Sequence, residues 1–437
     1  MQKKLSMFNL ILNTSRKVLI KNFLTGAVID LTKKQFAKIV KLLKSNQILP
    51  KQLTGRNGIV VSTQTDECAV LDKMIQKAHD SSAQKLTVFI LPTMACQFKC
   101  FYCFEKVNDG HTSVQTTLDF QKVFLKWLEK YLQKFSEIEQ VRIVFFGGEP
   151  LLKKHFILKL LSAVKEKLMK TGHKLQTEII TNGELLDEKF AREILQFNLV
   201  RLQITFDGYG KYHDLVRYSS RGGSFRSIMT NVLMILQHRL IPVIDLRINV
   251  RTVNYYSVRK LLRFLSQQGV AKKVRVSLGI IEDYTQTICG NCSEEEMTAE
   301  QAKRYLALLL YAHRLSFQTI SEFTAGPICF ASSKHSVVIK PNGAMQKCFC
   351  SVGRQEFDFS SVSNVGSALN LNDPRYSLQN KRTTNCSAEL CQFLPICNGG
   401  CVWRAIFKNG MNGYLNRTCN RTAMQIINSG LIKAGIY

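Results

Sequence analysis

Three cysteines fall close together in Pro92-Thr93-Met94-Ala95-Cys96-Gln97-Phe98-Lys99-Cys100-Phe101-Tyr102-Cys103, with the spacing C-x3-C-x2-C. Three thiolates on one loop can hold three irons of a [4Fe–4S] cluster and leave the fourth iron open to a ligand. A zinc ion would ask for a fourth protein ligand, and His111 is the nearest candidate. Further along, Phe146-Gly147-Gly148-Glu149-Pro150 closes an apolar run. Its glycines let a backbone approach a ligand closely, although Pro150 equally suits a plain strand-to-helix turn. A second group of thiols crowds the C-terminal part: Cys329, Cys348, Cys350, Cys386, Cys391, Cys397, Cys401 and Cys419. Two four-iron clusters would use up to eight ligands, and so would two zinc ribbons. Cys289 and Cys292 form a separate C-x2-C in a polar loop without a thioredoxin-like setting, and Cys68 reads as a core residue on a helix.

The elements that must carry these residues show in the apolar periodicity. Apolar runs at 86–91, 141–146, 177–180, 200–205, 244–250 and 274–278 alternate with amphipathic stretches at 120–135, 155–170, 225–238 and 257–268. Repeated βα units predict a parallel sheet, as an open barrel or a doubly wound sheet. The cysteine loop and the Gly-Gly-Glu-Pro turn then lie just past the first and second strands. Residues 1–84 read as a small α+β unit, with strands at 8–12, 18–20 and 27–31 and Thr32 capping a helix. A second helix is expected from Asp66 to His79, and a long one from Thr298 to Leu315. Beyond Pro327 the chain reads as short, irregular segments.

The sequence has 437 residues, 60 Lys+Arg against 32 Asp+Glu, a formal charge of +28, and 14 Cys with only 8 Pro. An apolar fraction of 45% excludes a disordered chain, and no run reaches the length of a membrane span. No signal-peptide pattern opens the sequence, so a cytoplasmic setting is expected, where abundant cysteines point to metal or redox chemistry. The charge fits a solvated basic surface first, an acidic peptide partner second and nucleic acid third, since no nucleic-acid-binding motif accompanies it.

Taken together, the motifs resemble the radical SAM superfamily. The C-x3-C-x2-C loop, with Tyr102 before its last cysteine, is similar to that family's cluster loop. Gly147-Gly148-Glu149-Pro150 is similar to its GGEP strand end, which meets the methionyl amine of S-adenosylmethionine (SAM). Thr181-Asn182-Gly183 resembles its TNG turn. Thr205-Phe206-Asp207-Gly208 with His213-Asp214 and Arg217 resembles a stretch of its peptide-modifying branch, and Arg247, Asn249 and Arg251 sit on a strand that meets the cofactor. The resemblance implies Cys96, Cys100 and Cys103 as cluster ligands, and Tyr102, Gly147, Gly148, Glu149, Pro150, Thr205, Arg217 and Asn249 as SAM contacts. The C-terminal order resembles the SPASM extension of these enzymes. It implies Cys329, Cys348 and Cys401 for a first auxiliary [4Fe–4S] cluster, with Cys350, His335 or a substrate thiolate as the fourth ligand. It implies Cys386, Cys391, Cys397 and Cys419 for a second, although four residues separate Cys386 from Cys391 where the family has two.

The fold so implied is α/β: a partial (β/α)6 TIM-like radical SAM barrel over residues 85–280, behind an N-terminal α+β domain (1–84) that could grip a leader peptide. A connector with a bridging helix (281–325) and a cysteine-rich SPASM domain (326–437) follow. The implied reaction is cleavage of SAM to a 5′-deoxyadenosyl radical and removal of hydrogen from a ribosomally made peptide, ending in a thioether or another crosslink. The implied partners are a precursor peptide, with an acidic leader suited to the charge, and a flavodoxin- or ferredoxin-type electron donor. The alternative is an anaerobic sulfatase maturase forming formylglycine from Ser or Cys. Those enzymes carry Asp directly after the second SPASM cysteine, where this chain has Phe349, with Asp358 as another acid nearby. An electron carrier would not need the GGEP and TNG elements, and SPASM cysteines are uncommon in radical enzymes that modify nucleic acids.

Overall fold

A computed structural model describes residues 2–106, 119–219, 222–281, 297–321, 323, 329–376, 389–415 and 418–436. His111, Cys289, Cys292 and Cys386 therefore lie outside the described residues. The chain opens with β1 (Lys3–Leu5), followed by an antiparallel sheet of β2 (Asn9–Asn13), β3 (Lys17–Asn22) and β4 (Val28–Thr32), with β2 and β4 at its edges. Helix α1 (Lys33–Lys44) starts at Thr32 through a reciprocal cap. The Thr32 hydroxyl accepts the Gln35 N–H at 3.2 Å, and the Gln35 side chain accepts the Thr32 N–H at 2.8 Å. Strand β5 (Val60–Ser62) pairs with β1, and α2 (Glu67–Ser82) is capped by Asp66, which accepts the Ala69 N–H at 3.0 Å.

The expected βα alternation follows. Strands β6 (Lys85–Ile90), β7 (Gln140–Phe145), β8 (Lys174–Thr181), β9 (Leu199–Phe206), β10 (Ile244–Val250) and β11 (Arg275–Ile280) lie side by side, all parallel. Between them run α3 (Phe120–Lys134), α4 (Lys154–Thr171), α5 (Glu188–Leu195), α6 (Lys211–Val216), α7 (Ser224–Gln237) and α8 (Tyr255–Gln267). Helix α9 (Ala299–Arg314) leads to β12 (Gln318–Ser321), which extends the sheet parallel to β11. Among the described residues the sheet does not close on itself. At its other edge β13 (Ser336–Ile339) runs parallel to β6, and β14 (Ala344–Gln346) and β15 (Ser360–Ser361) turn back antiparallel. These last three strands differ from the irregular C-terminal region expected. Ser336-Val337-Val338-Ile339 is buried on both faces, so it carries no alternation for a sequence reading to detect. Among the described residues, three α-helices follow: α10 (Leu394–Cys397), α11 (Val402–Asn409) and α12 (Arg421–Lys433).

Alternation within each strand sends Leu202, Ile204, Phe206, Leu246 and Ile248 into the main core. The opposite face carries charge near the strand starts. Arg142 of β7 meets Glu178 of β8 at 3.0 Å, and Arg201 of β9 meets the same Glu178 at 3.5 Å. Asp245 of β10 binds both Arg201 and Arg275 of β11, the latter at 2.5 Å. Alternating signs thus cross five neighbouring strands at one end of the sheet. The other end, where the strands stop, carries the chemistry.

Candidate functional site

Ile90 ends β6, and the chain turns into the loop of Cys96, Cys100 and Cys103. Fully buried Phe98 anchors this loop by bridging to Ser219, and the Lys99 N–H donates to the Tyr218 carbonyl at 2.8 Å. The turn after β7 presses against it: the N–H groups of Gly148 and Glu149 donate to the carbonyls of Thr93 and Ala95 at 3.2 and 2.9 Å. Gly147 has φ +117°, and a Cβ on Gly148 would lie 2.3 Å from the Ala95 oxygen and 2.4 Å from that of Met94. Only glycine permits this approach.

Glu149 is wholly buried. Its carboxylate accepts the Leu151 N–H (2.9 Å), the Thr181 hydroxyl (2.6 Å) and the Asn182 N–H (2.8 Å), tying the Gly-Gly-Glu-Pro turn to the Thr-Asn-Gly turn. Burial raises the carboxyl pKa, and these three donors oppose the shift. Pro150 begins a short 3₁₀ turn (Pro150–Lys153) that runs into α4. Asn182 also brings its side-chain amide to 3.9 Å from the Cys96 sulfur, which accepts the Phe98 N–H at 3.3 Å.

On the other side of the loop, Tyr102, Arg217 and Asn249 converge on a residue the sequence reading did not single out, Asp207. The Tyr102 hydroxyl donates to Asp207 Oδ2 at 2.6 Å and accepts from Arg217 Nη1 at 2.8 Å and Asn249 Nδ2 at 3.0 Å. Arg217 lies 3.5 Å from the same carboxylate. Burial raises the pKa of Asp207, with the Arg217 charge opposing. Its place in Thr-Phe-Asp-Gly was the only sequence signal. Thr205 stands apart from this knot, opposite Arg247 in the β9–β10 register, and the Arg247 guanidinium lies over Gly279, where a Cβ would come within 1.6 Å of it.

The C-terminal cysteines gather in two groups. Cys348 and Cys350 flank Phe349 in a 3₁₀ turn (Phe349–Ser351), and Cys329 and Cys401 lie close enough to act electrostatically on Cys350. His335 is elsewhere: one ring nitrogen is 2.8 Å from the Tyr131 hydroxyl and the other 3.3 Å from Glu137. Cys391, Cys397 and Cys419 line a recess with Phe393, Leu394 and Thr418. Thr418 joins the two groups by accepting the Cys401 N–H at 2.9 Å. The preceding Asn398, Gly399 and Gly400 all have positive φ, and a Cβ on Gly400 would sit 2.1 Å from the Thr418 hydroxyl. Between the GGEP turn and the first group stand aromatic rings, Phe349 lying 5.7 Å from Phe89 and 5.9 Å from Phe146.

Residues 90–265 match the Radical SAM superfamily. Over 117 residues the chain is 32% identical to GTP 3′,8-cyclase of Campylobacter jejuni, covering 26% of this chain and 32% of that protein. It thus spans about a third of that relative's length. Among solved structures it is similar to anSMEcpe with bound AdoMet and Cp18Cys peptide, with TM-score 0.62 and 17% identity over 80% of this chain and 97% of the other. It is also similar to SuiB of Streptococcus suis bound to precursor peptide SuiA, with TM-score 0.55 and 16% identity over 96% and 99%. The chain carries a radical SAM domain, whose cofactors are SAM and a [4Fe–4S] cluster. The cysteine loop suits such a group. Three thiolates on one loop are the donor set a four-iron cluster takes, one sulfur to each of three irons. Burial pushes the Cys96 thiol up to about 12, with the Phe98 N–H opposing the shift. No helix among the described residues is long and apolar enough to cross a membrane.

Proposed function

We propose that the chain is a radical SAM enzyme that removes a hydrogen from a ribosomally made peptide and installs a thioether or another crosslink. The observation that carries this reading is the pair of thiol groups beside the barrel, joined through Thr418 and Cys401. In it, Cys96, Cys100 and Cys103 hold the SAM cluster. The backbone of Gly147–Pro150, with Thr205, Arg217 and Asn249, receives SAM, while Glu149 positions the turn through its hydrogen bonds. When bound, cluster and SAM supply a 5′-deoxyadenosyl radical able to take hydrogen from an unactivated carbon. The protein's part is to fix the loop, hold the Tyr102–Asp207–Arg217 knot and, with the packed rings of Phe89, Phe146 and Phe349, keep water from the ground between the GGEP turn and the first thiol group.

Cys329, Cys348 and Cys401 belong to a first auxiliary [4Fe–4S] site, and Cys391, Cys397 and Cys419, with Cys386, to a second. These would accept the electron left after hydrogen removal. The N-terminal unit offers edge strand β4 to a leader peptide by strand addition, beside the lysine-rich α1 whose charge suits an acidic partner. Residues 85–280 form the catalytic core, 281–325 the connector and 326–437 the auxiliary domain. Electrons would come from a flavodoxin- or ferredoxin-type donor.

The likeness to anSMEcpe favours formylglycine formation from Ser or Cys as a second reading. Against it, Phe349 packs among aromatic rings, and Asp358 is engaged by Lys340 at 2.7 Å and Gln346 at 2.6 Å. Anaerobic reconstitution should yield about twelve iron per chain, three four-iron clusters. Cys100→Ala should abolish 5′-deoxyadenosine formation from SAM. A product peptide should lose two hydrogens per crosslink without fragmenting at a new aldehyde. Zinc in the C-terminal region with only four iron, or unchanged 5′-deoxyadenosine in the variant, would refute this reading.

A further inference from the structure

The fourth ligand of the first auxiliary site decides whether that site can hold a substrate thiol or only pass electrons. Cys348 caps the start of the Phe349–Ser351 turn and Cys350 is its middle residue, and hydrogen bonds hold the turn. The Ser351 N–H and hydroxyl both donate to the Cys348 carbonyl, at 3.2 and 2.7 Å, and the Arg354 N–H donates to the Ser351 carbonyl at 2.8 Å. The turn brings the two thiols within hydrogen-bonding distance of each other. Cys401 faces them from the N-cap position of α11, its sulfur accepting the backbone N–H groups of Trp403 and Arg404. Such donors recur around cluster sulfurs. Tyr376 packs against the same thiols: its buried hydroxyl, without a nitrogen or oxygen partner among the described residues, hydrogen-bonds the Cys348 sulfur and lies near Cys401. His335 has both ring nitrogens engaged elsewhere.

We infer that Cys350 supplies the fourth thiolate of the site formed by Cys329, Cys348 and Cys401, so that no iron there is open to a substrate thiol. This rests on the reading of these cysteines as cluster ligands. The first auxiliary site is then an electron relay, and a substrate thiol must be positioned by protein contacts instead. The signal in the sequence was a C-x-C pair, which a strand cannot turn into two ligands of one centre because its sulfurs would diverge. The 3₁₀ turn makes it possible.

The test uses full-length protein reconstituted anaerobically, wild type beside Cys350→Ala and Cys350→Ser. A four-iron cluster with three protein thiolates loses its open iron on mild oxidation with ferricyanide and gives a [3Fe–4S] electron paramagnetic resonance signal. Wild type should give one such signal per chain, from the SAM cluster. Cys350→Ala should give about twice that spin count at nearly unchanged total iron. An unchanged count in the alanine variant overturns the assignment of Cys350. Should that variant not fold, the wild type decides: added β-mercaptoethanol should leave the reduced auxiliary signal unchanged, and a shifted signal overturns the closed site. About four iron per wild-type chain, with or without zinc, would instead overturn the auxiliary-cluster reading itself.

Discussion

Gly148 has no room for a side chain, because the carbonyls of Met94 and Ala95 occupy the space a Cβ would need. Two backbones in such contact fix the height of the cysteine loop above the sheet. Gly148→Ala should therefore shift the loop while leaving the core intact, and cost about four iron per chain after reconstitution. Iron equal to wild type would show that the loop is set by Phe98 and Tyr218 alone. His213 offers a second test. It is fully buried, with Nδ1 accepting the Asp207 N–H at 3.4 Å and Nε2 without a partner among the described residues. Burial holds its pKa well below the ordinary 6.5, and the neighbouring Arg217 charge pushes the same way. A depressed native pKa favours the neutral ring. Its stabilisation is thus complete above the unfolded value near 6.5 and is lost as the pH falls below it toward the native one. The urea midpoint of the wild type should drop more than that of His213→Gln between about pH 7.5 and about pH 5.5. Parallel declines would mean that other groups carry the acid sensitivity.

Strands here do two jobs at opposite ends, and the ladder from Arg142 to Arg275 belongs to the end away from the cysteines. Asp245 is its most buried member, with a side chain 1% exposed, and it holds two arginines that are 32% and 33% exposed. Asp245→Asn leaves Arg201 and Arg275 facing each other. The cost should be roughly 2–3 kcal/mol, below the range for a fully buried pair because both arginines keep contact with water. Denaturant unfolding measures that loss, and iron content should stay at the wild-type level because the loops above are untouched. Loss of iron would mean that the two ends are not independent. None of the ladder could be read from the sequence, since its charges lie on strands whose register only pairing sets. The six parallel strands and the four longer helices between them, α3, α4, α7 and α8, were legible because their apolar periodicity is long. The cysteine loop and the Gly-Gly-Glu-Pro turn were legible because close backbone approach demands particular residues. Short elements were not: β13 is apolar on both faces, α5 spans only two turns, and Asp207 draws its partners from residues 102, 217 and 249.

At the scale of the molecule, the N-terminal unit is not a tethered module. Leu10, Leu12, Leu19 and Phe23 belong to the same buried cluster as the barrel strands and α12, and Phe8 and Leu71 pack with Leu394. Phe23 meets Phe393 with ring centroids 5.1 Å apart, and Phe393 lies two residues from Cys391. The sheet proposed to take a leader peptide and the recess of Cys391, Cys397 and Cys419 thus share one packed interface. The charge of +28 then bears on association, where salt would screen attraction to an acidic peptide, and not on this apolar contact. Because packed side chains transmit strain, loosening one side should loosen the other. Phe23→Ala should cost about 3–5 kcal/mol, as expected for truncating a buried aromatic ring. Hydrogen exchange on the reconstituted protein should speed up both in β3 and across residues 391–397, with α4 and α8 unchanged. Faster exchange in β2–β4 alone would show that the N-terminal unit yields by itself, and that a bound leader has no mechanical route to the second thiol group.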